Sequence, residues 1–272
     1  MARRKQHDGQ TGDLGIRLVS AAILIPFALF VVYQGGALLA AACALFAALM
    51  AYEWIRMTAS PSMKAFVTLA ILPFIAAVFG GLAWAVLVLL LAALVVSFLH
   101  PVPNQRGSEV RGFLYVCGMA LALYMLRAGP WDGVPAALMI MGIVWGSDSA
   151  AYFVGRSLRG PLLHPDSPSK TWSGAIGAVL FSAGWGILAA HLSGGNVVLW
   201  VIAGGMISVV AQIGDLIESS TKRSFGVKDA SAMVPGHGGL LDRVDGLGVV
   251  CIASVLVFLF APALVRGLGL AI

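Results

Sequence analysis

Apolar residues fall in long blocks along the chain, and the polar residues gather between them. The blocks lie at roughly 14–33, 35–52, 63–80, 82–99, 112–127, 133–154, 172–192, 196–218 and 246–265. Each approaches the length of about 20 apolar residues that a helix needs to cross a hydrocarbon core. A membrane β-barrel would instead show alternating segments of about 10 residues, and none is evident. The pattern predicts an all-α fold, a polytopic bundle of about nine transmembrane helices. Gly80-Gly81 leaves almost no loop between the third and fourth spans. Pro26 and Pro73 lie inside spans, where neighbouring helices tolerate a kink.

Three polar connections, 100–111, 155–171 and 219–245, all fall on the same side as the N-terminus if nine spans alternate. The chain has 17 Lys and Arg, and this arrangement puts all of them on that side or beside it, except Arg127 and Arg266. Basic residues mark the cytoplasmic side of a membrane protein. The N-terminus and the polar connections are therefore expected in the cytoplasm, and any chemistry is expected to use a cytoplasmic substrate. The loops on the other side are short. No cleavable signal peptide is evident, because the first apolar run is long enough to stay in the membrane. The expected location is the inner (plasma) membrane of a bacterium. The two halves differ in character. Residues 1–130 are nearly featureless hydrophobic helices, and residues 131–272 carry the clustered charge.

Composition agrees with this reading. Hydrophobic residues make up 60% of the 272, and charged residues only 11%. A soluble domain carries about 25% charged residues. The formal charge of +5 does not require nucleic acid, since membrane topology accounts for the basic residues. Cys43, Cys117 and Cys251 sit singly in apolar blocks, without the spacing of a disulfide framework or a zinc site.

Against that background, residues 219–245 are dense in charge: Lys222, Arg223, Lys228, Asp229, His237, Asp242, Arg243 and Asp245. Asp148, Asp215 and Glu218 lie inside spans or near their ends. A carboxylate at the centre of a membrane helix costs about 2.5–3.5 kcal/mol, so it normally faces a cavity or a partner. Asp215, Glu218 and Lys222 share one helix face at i, i+3 and i+7. If DRVD is helical, Asp242 and Asp245 share a face as well. Converging carboxylates repel one another unless a cation separates them, and Mg²⁺ takes one or two carboxylates with substrate phosphates and water. Asp215, Asp242 and Asp245 form the candidate metal set, with room for a second cation, and Asp148 is a further candidate in the same cavity. Structural pairing inside the bundle, or a position near a span's end, is the plainer alternative for Asp148, Asp215 and Glu218, and a solvated charged turn at a helix start for Asp242 and Asp245.

The segment VPGHGG precedes DRVD. Gly238 and Gly239 open backbone amides toward an anion, as phosphate-cradling loops do, although glycines also simply make turns. His237 suits a phosphate contact or a structural hydrogen bond. Lys222, Arg223, Lys228 and Arg243 are candidate phosphate ligands, with topology alone as the competing explanation for the first three. In HPDSPSKTWSG, residues 164–174, Ser167, Lys170 and Thr171 offer a cation and hydroxyls at the start of a helix, where anions are favoured.

Three stretches together resemble a known family. They are Ser219-x2-Lys222-Arg223-x4-Lys228-Asp229-x-Ser231-x3-Pro235-x-His237-Gly238-Gly239-x2-Asp242-Arg243-x-Asp245, then Asp148-Ser149-x-Ala151-Tyr152-Phe153-x-Gly155-Arg156, and Ser167-Pro168-x-Lys170-Thr171-Trp172. The first is similar to the signature of phosphatidate cytidylyltransferases, the CDP-diacylglycerol synthases. The likeness covers about residues 140–250. Thr221, Val234 and Ser173 depart from it, and Ser173 stands where that family usually has Glu. The resemblance implies transfer of a cytidylyl group from CTP to phosphatidic acid in the lipid bilayer, with Mg²⁺, for phospholipid synthesis. It also implies homodimerisation. It assigns Asp215, Asp242, Asp245, Lys222 and Arg223 to catalysis, and Lys228, Arg243, His237, Gly238, Gly239, Lys170, Thr171, Ser167 and Asp148 to substrate. A CTP-dependent polyprenol or lipid kinase is the alternative enzyme. A transporter using Asp148, Asp215 and Glu218 is the alternative outside catalysis.

Overall fold

A computed structural model describes residues 20, 22–60, 63–99, 103–231, 233 and 238–270. The expected helical bundle is present. Its helices are α1 (Ala22–Gln34), α2 (Gly36–Thr58), α3 (Met63–Gly80), α4 (Leu82–Leu99), α5 (Pro103–Ala128), α6 (Gly133–Leu158), α7 (Trp172–Ser193), α8 (Val197–Ser224), α9 (Leu241–Phe260) and α10 (Pro262–Gly267). Seven of them are long and apolar enough to cross a membrane. The expected count was about nine. Ala22–Gln34 and the apolar part of α3, Lys64–Gly80, are shorter than the other seven. The beginning of the first apolar block lies outside the described residues. Helices dominate because a helix satisfies its backbone groups within its own segment, as lipid requires of a spanning element outside a closed barrel.

Between α6 and α7 the chain makes a small antiparallel hairpin of β1 (Leu162–His164) and β2 (Ser167–Thr171), in register Leu162 with Thr171 and His164 with Ser167. This polar connection carries no helical periodicity. A tight hairpin satisfies its own backbone groups, and the hairpin also puts Lys170 and Thr171 at the mouth of α7.

Helices α2, α5 and α9 enclose a core of Ala47, Ala51, Ile55, Phe113, Val116 and Leu241, in which Cys43, Cys117 and Cys251 are also buried. Small residues let α7 and α8 run close together, since a Cβ on Gly204 would strike the Ser182 carbonyl and one on Gly186 the Trp200 carbonyl. Ser147 and Ser208 join α6 to α8 by a buried hydroxyl–hydroxyl bond of 2.7 Å.

The two ends of the bundle differ. At one end, the tail after α9 is stitched to the other helices. The Trp200 indole donates to the Leu268 carbonyl at 2.8 Å and to Ser193 Oγ at 2.9 Å. The backbone amides of Asn196 and Asp132 donate to Gly267 and Leu270 at 2.8 and 2.7 Å. Arg127 at this end donates to the carbonyls of Val32 and Tyr33. The opposite end holds the C-terminal turns of α2, α6 and α8, the N-terminal turns of α7 and α9, and the hairpin.

Candidate active site

At that opposite end a pocket of about 360 Å³ opens between α6, α7, α8, α9 and the hairpin. Asp148, Lys170, Asp215, Asp242, Arg243 and Asp245 line it, with Thr171 and Ser219. These come from four separate stretches of sequence, on α6, β2, α8 and α9.

Asp215 and Asp245 meet because α8 and α9 cross closely. A Cβ on Gly246 would lie 2.7 Å from Asp215 Oδ1, and one on Gly214 would lie 3.1 Å from the Asp245 carbonyl. Two glycines therefore let one helix bring its carboxylate against the other's. Asp245 also interacts with Glu218 on α8. Lys170 Nζ donates to Asp215 Oδ2 at 2.6 Å, and Asp148 lies within electrostatic reach of Asp215, Lys170 and Arg243.

The hairpin that carries Lys170 is fixed over α8 at a second point, where Ser220 Oγ donates to Asp166 Oδ2 at 2.7 Å. Thr171 caps α7, its hydroxyl accepting from the Gly174 amide at 3.2 Å. Ser173 donates its hydroxyl to the Arg159 carbonyl, which closes the loop between α6 and the hairpin. Ser167, the first residue of β2, is buried and does not line the pocket.

Asp242 makes a different set of bonds. Lys222 Nζ donates to its Oδ1 at 2.6 Å and to Glu218 Oε2 at 3.1 Å. The amide of Gly239 donates to Asp242 Oδ2 at 2.9 Å, and the Ala230 amide to the same atom at 3.2 Å. Asp242 thus gathers the connection before α9 around itself, and Lys222 stands behind it with only 11% of its side chain exposed. Gly238 adopts φ 85°, a left-handed conformation suited to glycine, and Gly239 follows it into the first turn of α9. Arg223 is exposed and donates to the Val227 carbonyl, and Lys228 is exposed on the same connection. Neither lines the pocket. His237 lies outside the described residues.

One residue escaped the sequence reading. Glu53 on α2 is fully buried and accepts from Ser231 Oγ at 2.5 Å and from the amides of Leu240 and Leu241, each at 2.8 Å. It caps the N-terminus of α9 from another helix. The signal was available, since Glu53 is an acid at the end of an otherwise apolar run. The predicted span stopped at residue 52, which placed Glu53 just outside it, whereas α2 continues to Thr58.

The acids facing the pocket, Asp148, Asp215, Asp242 and Asp245, offer hard oxygen donors of the kind that suit a cation such as Mg²⁺. Glu218 Oε1 is buried without a hydrogen-bond partner among the described residues. Among the described residues, no group of three or more His, Cys, Asp or Glu could hold a metal by itself.

The model of the cytidylyltransferase family matches residues 15–261. A phosphatidate cytidylyltransferase of Brucella suis biovar 1 is 35% identical over 258 residues, covering 91% of this chain and 93% of that protein. Its counterpart in Pseudomonas aeruginosa is 32% identical over 251 residues, 85% of this chain and 92% of its own. That of Haemophilus influenzae is 38% identical over 141 residues, 49% of each chain. With a match that runs through nearly every helix and through the whole pocket, the chain belongs to the cytidylyltransferase family.

Proposed function

We propose that this chain transfers the cytidylyl group of CTP to phosphatidate, giving CDP-diacylglycerol and pyrophosphate. The carrying observation is the pocket itself. Asp148, Asp215, Asp245, Lys170 and Arg243 line one cavity at the end of an apolar bundle, where a membrane lipid and a soluble nucleotide can meet. The printed names of the relatives support the same reading.

In this reaction an oxygen of the lipid phosphate attacks the α-phosphorus of CTP. A new P–O bond forms as the bond from that phosphorus to the bridging oxygen of the β-phosphate breaks. Pyrophosphate leaves with the electron pair. The nucleophile is already an oxyanion, so no Ser, Cys or His nucleophile is needed. The obstacle is charge, because two polyanions must approach each other. Lys170 and Arg243 are assigned to phosphate oxygens, where fixed positive charge reduces the repulsion and stabilises the leaving group. Asp215 and Asp245, with Asp148 near them, are assigned to Mg²⁺, which when bound neutralises and orients the triphosphate. Asp242 completes the acidic set, and it also holds the Gly238-Gly239 turn through the Gly239 amide. Lys222 balances Asp242 and Glu218. Arg223 and Lys228 supply a basic rim that draws the nucleotide in. Positioning and electrostatics carry the rate.

The pocket end is assigned to the cytoplasm. Among the residues whose side chains are described, every Lys and Arg except Arg127 and Arg266 lies toward that end. CTP is then available from the cytoplasm and the product remains in the membrane.

The test uses the purified chain in liposomes containing phosphatidate, with Mg²⁺ and CTP labelled in its α-phosphate. Label in the lipid fraction that a chelator abolishes is the expected result. Label that stays water-soluble while CDP accumulates would mean kinase chemistry instead.

A further inference from the structure

A second cavity, about 300 Å³ and almost wholly apolar, lies between α1, α2, α6 and α9. Phe27, Val31, Phe46, Trp145 and Leu247 form its walls, and Arg243 closes one end. Arg243 also lines the polar pocket. Among the described residues lining this groove it is the only charged one. Its side chain is exposed, and its guanidinium forms no hydrogen bond or ion pair among the described residues.

A guanidinium at the head of a greasy groove needs an anion, and its planar fork of donors fits a phosphate. The other large apolar groove, between α8, α9 and α10 at the far end, is lined by no basic residue among those described. Charge therefore distinguishes the two. Along the first groove, α1 presents residues from Leu24 to Val31, a length of about 10 Å at 1.5 Å per residue. One ligand satisfies both features: a long apolar tail in the groove, with an anionic head at Arg243.

The geometry points to this groove as the acyl-chain site of the lipid phosphate, with Arg243 as the point where its headgroup passes into the pocket. The lipid enters sideways from the bilayer between α1 and α9, on the side of the pocket away from the hairpin. The inference rests on the proposed activity and adds to it the place of the acyl chains.

Ala28 and Ala42 line the groove and are small enough to be replaced by a plug. In Ala28→Phe, the KM for dioleoyl phosphatidate should rise about tenfold relative to that for dioctanoyl phosphatidate, as if two or so methylene groups were withdrawn from apolar cover. A phosphatidate with a photoreactive diazirine near the end of one acyl chain, used on the unchanged protein, should label α1 and α2 within residues 24–46. An unaltered chain-length preference in Ala28→Phe would overturn the groove. Label confined to α3, α4 or α7 would overturn it as well. If Ala28→Phe loses activity on both lipids alike, the labelling of the unchanged protein decides. Failure of the unchanged protein to transfer cytidylyl to either lipid would sink the activity itself, a separate result.

Discussion

Gly246 on α9 sits against Asp215 on α8 so closely that a Cβ would lie 2.7 Å from Oδ1. The absence of a side chain at one position sets the place of a carboxylate at another. On helix propensity alone, Ala would be better than Gly by about 1 kcal/mol. Gly246→Ala should nevertheless lower turnover at least about tenfold, since small displacements of reacting groups are costly. It should also raise the Mg²⁺ concentration needed for half-maximal rate. Steady-state rates across a Mg²⁺ series check this.

Glu53 links α2 to the first turn of α9 across 188 residues of sequence. Glu53→Ala leaves the Leu240 and Leu241 amides and the Ser231 hydroxyl without their acceptor. Each buried group so abandoned costs about 1–3 kcal/mol. The expected outcome is a lower melting temperature in detergent together with reduced turnover. Glu53→Gln keeps an acceptor oxygen and should recover part of both.

The two lysines of the site should separate in their effects. Lys222 is enclosed between Glu218 and Asp242, whose side chains are 2% and 3% exposed. Lys222→Met strands both, and breaking a buried ion pair costs about 3–5 kcal/mol. Lys170 is more open, with 28% of its side chain exposed. Lys170→Met should keep the protein folded and reduce turnover about a hundredfold, the scale for one lost electrostatic contact to developing charge. Melting curves run beside assays resolve the pair.

Asp245 and Asp242 should also differ. Asp245→Asn is expected to abolish Mg²⁺-dependent transfer with little change in melting temperature. Asp242→Asn weakens the bonds from Lys222, Gly239 and Ala230 at once. It should lower both stability and rate. Near-normal transfer by Asp245→Asn would remove it from the cation set.

Much of this arrangement was legible in the sequence because membrane spans and charge clusters leave strong local signals. Asp148 and Asp215 stood out as charges inside apolar spans, and Lys170 and Arg243 as cations in polar connections, and the pocket collects all four. Less was legible where the cause lies between elements. The glycine crossing of α8 and α9 needs two helices to be seen together, and neither Gly214 nor Gly246 carries a signal alone. Arg223 and Lys228 looked like Lys222 in sequence, yet only Lys222 turns inward to pair with Glu218 and Asp242, while the other two are exposed. Glu53 was hidden by a helix end misplaced by several residues. The hairpin of 162–171 was too short and too polar to show a strand period.

The ring of bonds at the far end has a consequence for the order of synthesis. Leu268 and Leu270 receive the Trp200 indole and the Asp132 amide. These acceptors leave the ribosome after α6, α7, α8 and α9 have all been made. Until then the Asp132 amide waits for its acceptor, and the Trp200 indole has only Ser193 of its two. The bundle can assemble from its pocket end while the chain is growing, but the opposite end closes last, as a zip fastened from one side.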